Sequence, residues 1–443
     1  MSEKDNKADQ DAIEAPSQAP SVVLPITALT PLDPDPEPDH AIPDGGYGWI
    51  IVLSVFTING FTWGVIASYG VYLAYYLSSN RFPGATPLDY AFIGGLNFGL
   101  AMLVSSPATY LVRTLGTHPV MLLGVLLQTG GFIGASFAAR IWQLYLSQGV
   151  CVGLGVGFLF IPSVAVTSQW FDKKRSLANS ITSAGSGLGG VIVSFATQSM
   201  IDRISLAWSL RVIGLLSGTM NIIATCLIRS RNHIIRPPMH PFDVRLLRRL
   251  PVMLLLSWGF FSMLGYMVLL YSLSDFGRAI GLSKGQAASV TALLNLGTML
   301  GRPCIGLLSD RYGRIEVAGC TTFACSVCVW VFWVPASSYA LLVVFAIIVG
   351  GILGIFWMSI SPLCVEVAGL SELPSTLALA FATIILPTTF AEVIGLKLRT
   401  PESARPYLYP QIWAGVMYLI ATGLMFALWL ILRKRKRREG SSI

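Results

Sequence analysis

The chain has 443 residues, of which 54% are hydrophobic and only 12% charged, about half the charged share of a typical globular domain. So little ionisable surface excludes a soluble globular protein of this length and makes lipid the matching solvent. The net charge of +8 is not a nucleic-acid signal: six basic residues form the run Arg433 to Arg438, and six more lie between Arg229 and Arg249.

In chain order, residues 1–47 come first, with ten acids, two lysines and eight prolines. That composition predicts a disordered, acidic, proline-rich tail, and it lacks the regions of a secretory signal peptide. The tail ends in Asp44-Gly-Gly-Tyr-Gly-Trp49, where Tyr47 and Trp49 read as interfacial aromatics and the glycines as points of close approach.

Twelve apolar segments of roughly 20 residues follow, the length that crosses the hydrocarbon core. They fall at 48–77, 89–112, 119–139, 141–169, 177–200, 207–228, 251–274, 286–308, 316–335, 337–363, 374–397 and 410–432. In lipid each backbone amide must be satisfied within its own segment, so all are expected to be helices. With the N-terminus inside, the inner loops and tails hold twenty basic residues and the outer loops seven, which places both termini in the cytoplasm.

The segments divide six and six around the basic stretch 229–250. Leu96-Asn97-Phe98-Gly99 in segment two matches Leu294-Asn295-Leu296-Gly297 in segment eight. The expected fold is therefore an all-α integral membrane protein whose twelve helices form two pseudo-symmetric six-helix bundles, 48–228 and 251–432. A basic cytoplasmic linker, 229–250, joins them, and a basic tail, 433–443, follows. Duplicated six-helix units are the architecture of secondary transporters, with the solute held near the midplane.

No cofactor or metal is expected. All four histidines lie outside the apolar segments, and Cys325/Cys328, although spaced C-x-x-C, sit in an apolar run with no ligand histidine nearby, so packing is the simpler reading. Gly185-Ser-Gly-Leu-Gly-Gly190 has the spacing of a dinucleotide loop but lies inside an apolar segment after a basic loop. Helix packing suits it better.

Gly306-Leu-Leu-Ser-Asp310-Arg311-Tyr-Gly313-Arg314, between segments eight and nine, resembles the G-x-L-x-D-R-x-G-R signature of the major facilitator superfamily. Glycine permits the turn, and Asp310 can accept from a helix N-terminus or pair with an arginine. Such a latch can hold one conformation shut, with Gly306, Asp310, Arg311, Gly313 and Arg314 as its members. A solvated turn is the plainer reading. The first-half counterpart, Arg113-Thr-Leu-Gly116, lacks the aspartate.

Asp44–Trp49, together with Trp170-Phe-Asp-Lys-Lys-Arg-Ser-Leu-Ala178 and the glycines after it, resembles the helix-one and helix-five signatures of the monocarboxylate porter family. The likeness covers 44–432 and is greatest to its fungal members. The resemblance implies that Arg302, in Gly301-Arg302-Pro303, engages a substrate carboxylate, a task that suits the planar fork of a guanidinium. A brace for the latch is the alternative. This sequence departs from the family at Thr298, where many members carry aspartate, and at Ala67, near the lysine of animal members. Both departures weaken the case for simple proton–lactate symport.

Glu392, after Pro387, is the candidate proton carrier, since burial raises a carboxyl pKa; pairing with Lys397 is the other reading. Asn59, Tyr69, Tyr271 and Asn295 complete the expected substrate-binding set, because an amide facing lipid is costly, although aromatic rows more often pack. Pro162 and Pro362 are candidate bend points.

These readings converge on a secondary active transporter of a monocarboxylate or related organic acid, working by alternating access in the cell membrane. Vacuolar and peroxisomal membranes stay open, and protons are the candidate coupling ion. The expected partners are a small organic anion or secondary metabolite, protons and the bilayer, with no nucleic acid. Export of a secondary metabolite is the runner-up, and a solute sensor that does not translocate is the alternative of another class. No enzyme motif is present.

Overall fold

The computed structural model describes residues 42–79, 81–235, 243–400, 402, 403 and 405–440. Of the acidic tail only Ile42–Tyr47 lies within that set, and residues 236–242 of the linker fall outside it.

The described chain is helical. Span one consists of α1 (Gly48–Phe61), α2 (Trp63–Ala67) and α3 (Tyr69–Ser79); span two of α4 (Pro87–Leu103) and α5 (Ser105–Leu115); span three is α6 (Thr117–Ser136). Span four joins α7 (Ile141–Leu144), a π-helical stretch Tyr145–Cys151 and α8 (Val152–Trp170); α9 (Arg175–Arg203) and α10 (Leu206–Leu227) are spans five and six. Short helices α11 (Asn232–Ile235) and α12 (Val244–Leu247) mark the linker. The second half contains α13 (Leu250–Ala279), α14 (Lys284–Tyr312), and α15 (Arg314–Cys328) with the π-helical Val329–Trp333. It ends with α16 (Tyr339–Ile352) and α17 (Ile355–Ala368) as span ten, α18 (Leu373–Thr383) and α19 (Ile385–Leu398) as span eleven, and α20 (Leu408–Gly440) as span twelve.

Ten described helices are long and apolar enough to cross a membrane, and eleven if the pair α4/α5, bent by 46°, counts as one span. Helix α9 is the twelfth. Its 29 residues cover about 43 Å, but its serines, threonines and glycines make it more polar than the rest. The sequence shows why: where α9 meets α1 and α14 it carries glycines and serines in place of large apolar residues.

That packing is tight enough to exclude a side chain. A Cβ on Gly189 would fall 2.3 Å from the Gly60 carbonyl oxygen, and one on Gly185 would fall 2.1 Å from that of Phe56. The run Gly185–Gly190 is thus a helix–helix contact, as expected of small residues in membranes. Spans eight and ten meet likewise, with a Cβ on Gly301 falling 2.3 Å from the Gly351 Cα.

Helix ends opposite the termini are set by side chains. Thr86 with Asp89, and Ser283 with Gln286, form capping boxes that start α4 and α14, satisfying amides a helix leaves open. At the other end α20 continues through the basic run rather than stopping near 432, because Lys and Arg are good helix formers and favour a helix C-terminus.

Several spans are interrupted where the sequence shows one unbroken apolar run. At Thr62 (φ −113°, ψ −78°) the backbone leaves the helix. The Phe61 carbonyl accepts from Gln128 Nε2 at 2.7 Å, and Asn221 Nδ2 donates to Gln128 Oε1 at 3.1 Å. A carbonyl freed in a bilayer needs such a partner. Pro162 and Pro362 lie inside α8 and α17; the break in span ten instead falls at Leu353–Gly354, where Gly354 takes φ +72°.

Candidate functional site

Hydrogen bonds join the two halves at the end where the described termini lie. Asp310, near the end of α14, accepts from the backbone N–H groups of Ser176 (2.9 Å) and Leu177 (2.8 Å) at the start of α9. A carboxylate there satisfies amides that lack intrahelical partners and meets the positive end of the helix dipole. Gly306 lets the helices close to this distance, since a Cβ would fall 2.6 Å from that of Ser180. Gly313 (φ +111°) turns the chain into α15.

Arg314 adds to these contacts. Its Nη2 donates to the Asp172 carbonyl, its Nε lies 3.8 Å from Asp310, and its Nη1 lies 3.6 Å from Glu366. Ser168 at the end of α8 shares a hydrogen bond of 2.7 Å with Ser361 of α17. Arg311 stands apart from this network, exposed, with its guanidinium 5.5 Å from the Tyr312 ring.

The loop that Asp310 grips is held from a second side. Asp44 Oδ1 accepts from the N–H groups of Asp172 (2.7 Å), Lys173 (2.9 Å) and Lys174 (3.4 Å). Asp44 adopts φ +50°, a left-handed conformation that Asp tolerates better than most residues. Nearby, Tyr47 donates to the Leu227 carbonyl at 2.8 Å and stacks obliquely on Trp170, with ring centroids 5.7 Å apart. The Asp44–Trp49 motif is therefore a tether as well as an aromatic anchor. Inside the loop, Arg175 Nε donates to the carbonyls of Phe171 (2.8 Å) and Ser168 (3.2 Å).

Arg302 sits deeper, 4% exposed. Its Nη1 crosses between halves, donating to the Ser183 carbonyl (2.7 Å), the Ser183 hydroxyl (2.8 Å) and the Ser186 hydroxyl (3.2 Å) of α9. Its Nε is buried without a hydrogen-bond partner. Among the described residues no carboxylate forms an ion pair with it. Thr298, one turn earlier, donates to the Leu294 and Gly350 carbonyls, each at 3.0 Å. Where the resemblance leads one to expect an aspartate, this chain therefore has a hydroxyl that ties α14 to α16.

Beside Arg302 lies a group of rings from both halves. Trp357 of α17 stands 5.7 Å from Trp63, 5.8 Å from Phe98 and 6.3 Å from Phe160, centroid to centroid. Trp63 Nε1 is buried and without a partner. None of Trp63, Phe98, Phe160, Trp357, Ser183 and Ser186 is in the substrate-binding set expected from the sequence. Their roles depend on which helices face each other across the halves, which a single apolar run does not encode.

The other expected residues are placed as follows. Asn295 is half-buried on the α14 surface that faces Gly187 of α9. Asn59 is buried and donates back to the Val55 carbonyl at 3.0 Å, and Tyr69 donates to the Tyr90 carbonyl at 2.7 Å. Both are engaged within the first half. The side chains of Tyr271 and Glu392 lie outside the described residues.

Two halves of paired helices, bridged at one end, with the buried Arg302 guanidinium reaching from one to the other, have the architecture of a membrane carrier. Residues 49–274 and 255–442 match the family model of the Major Facilitator Superfamily, and the chain belongs to that superfamily. It is 35% identical over 396 residues to the probable transporter MCH2 of Saccharomyces cerevisiae, covering 88% of this chain and 83% of that protein. It is 26% identical over 453 residues to the fujikurins efflux protein of Gibberella fujikuroi, covering 95% and 93%. Among solved structures, the proton:xylose symporter XylE superposes with a TM-score of 0.67 over 86% of this chain and 95% of that one, at 13% identity, a likeness of fold alone.

Proposed function

We propose that the chain carries an organic anion of the monocarboxylate class across the membrane by alternating access, with Arg302 as the fixed positive charge that receives the carboxylate. The observation that carries this reading is the Arg302 guanidinium itself, buried between the halves with Nε unpartnered and no described carboxylate paired to it. A cation kept in a low-dielectric interior without a counter-ion is costly and is retained for a function.

On the Lys/Arg bias, the end bearing the termini is cytoplasmic; the cell-surface membrane is the proposed home. The network of Asp310, Arg314 and Ser361 then holds the cytoplasmic side shut, the outward-facing state. A carboxylate arriving from outside pairs with the free Nε/Nη2 edge of Arg302 and draws the guanidinium away from Ser183 and Ser186. Losing those cross-half bonds loosens the contact between α9 and α14 and allows the cytoplasmic end to open.

Protons are the proposed coupling ion and Glu392 on α19 the proposed carrier. Glu392→Gln should abolish the stimulation of uptake by an inward proton gradient while leaving exchange of internal for external substrate intact. Export of a secondary metabolite is a second reading, favoured by Ala67 and Thr298 standing where the resemblance leads one to expect charged residues, and by the likeness to a protein named for efflux.

Uptake into proteoliposomes over a panel of carboxylic acids, with and without a pH gradient, tests the reading. Wild-type protein should accumulate at least one acid. Arg302→Ala should lose uptake by on the order of a hundredfold, the scale of removing a buried charge from a hydrogen-bonded pair, with a cooperative thermal melt showing that the protein stays folded. Equal uptake by the variant would remove the site assignment.

A further inference from the structure

The structure assigns the break in span ten to substrate recognition: we infer that Gly354 and the α17 N-terminus complete a carboxylate seat with Arg302, and that the rings beside it select an acid with an aromatic body. This deepens the organic-anion reading and rests on it.

The seat is built from two positive features. Helix α17 begins at Ile355 after Gly354, which has no side chain to cap it; its carbonyl accepts from the Trp357 N–H at 3.0 Å, and the N–H groups before Trp357 lack a side-chain cap. Helices that restart within a membrane present such N-termini to anionic substrates. A Cβ on Gly354 would lie 3.0 Å from Arg302 Nη2, 3.3 Å from Trp357 Cδ1 and 3.3 Å from Tyr266 Cε2. The guanidinium therefore abuts the helix start directly. Its Nη1 is taken by α9, while Nε, on the same edge as Nη2, is buried and unpartnered. A fixed cation against the positive end of a helix is unfavourable until an anion lies between them. The Nε/Nη2 edge matches both oxygens of a carboxylate.

The rest of the solute must meet Trp357 and its neighbours Trp63, Phe98 and Phe160. In this conformation the rings pack on one another, Trp63 against Phe98 at 4.8 Å and against Phe160 at 5.3 Å. An aromatic body replaces ring-to-ring contacts with others of the same kind. The hydroxyl of a small hydroxy acid would lose its water to apolar faces. Trp63 Nε1 is the donor left over for a polar substituent on the ring.

Calorimetric titration of the full-length protein in lipid nanodiscs with benzoate, lactate and neutral benzamide tests this. Benzoate should bind at least about tenfold more tightly than either, within the range that pocket contacts discriminate. Trp357→Leu should weaken benzoate at least about fivefold more than lactate, and Gly354→Ala should weaken both acids. Should Gly354→Ala fail to fold, Arg302→Lys, which keeps the charge but loses the fork, should weaken both acids in its place. Lactate binding as tightly as benzoate, or equal loss of both in Trp357→Leu, would overturn the aromatic selection yet leave an organic-anion carrier. Benzamide binding as well as benzoate, or no acid binding at all, would overturn the carboxylate seat and the proposed function together.

Discussion

Arg302 and Asp310 lie on one helix, little more than two turns apart, and both reach α9. Asp310 grips its first amides, and Arg302 holds Ser183 and Ser186. On the proposed reading, occupancy of the guanidinium and closure of the end bearing the termini would be coupled through this one helix. Asp44 acts on the same loop from the other side. Asp44→Ala removes the acceptor of three amides and should cost about 1–2 kcal/mol, the range for losing a cap, read as a lowered midpoint of thermal unfolding. Asp310→Ala should leave a reporter cysteine at Ser361 open to membrane-impermeant thiol reagents from the end bearing the termini, where the parent protects it. The Asp310 contact with a helix N-terminus was legible in the sequence because its motif is local. The partner of Asp44 was not, since the amides it binds lie more than a hundred positions away and its own neighbours suggested only an interfacial anchor. Arg302 was legible by its rarity as an ion inside a span, but Ser183 and Ser186 looked like ordinary small helix residues.

Among the elements, the membrane-crossing segments were readable and their interruptions were not. A segment that is apolar on every side has no periodic pattern for a break to disturb, so Thr62, Val104, Gly354 and Ile384 left no signal. Each break needs local support. Gln128→Leu strands the Phe61 carbonyl and should destabilise the fold by about 1–3 kcal/mol, measured by thermal melts in nanodiscs against the parent. The glycine contacts set the opposite limit. A Cβ on Gly64 would lie 2.7 Å from the Gly189 carbonyl carbon, so Gly64→Ala should cost about 1–3 kcal/mol by overpacking, whereas the same change at exposed Gly95, with nothing within 4 Å, should be neutral or stabilising.

Across the whole molecule, the polar contacts between halves cluster at one end among the described residues. At the opposite end the ion pair Arg399–Asp275, at 2.8 Å, stays inside the second half, with the Tyr407 hydroxyl also donating to Asp275. Polar bonds at one end and none of that kind described at the other suit a molecule whose halves rock about a central site. Closure by hydrogen bonds can be undone at modest cost, because water replaces them as the gate opens. The direct measurement is to link the gate. Ser168→Cys and Ser361→Cys, introduced together into a chain freed of its native cysteines, place two thiols where the hydroxyls now lie 2.7 Å apart. Oxidation should stop proteoliposome uptake of the accepted acid, and reduction should restore it, with either single variant indifferent to both. Full uptake by the quantitatively cross-linked protein would contradict transport by alternate opening of this end.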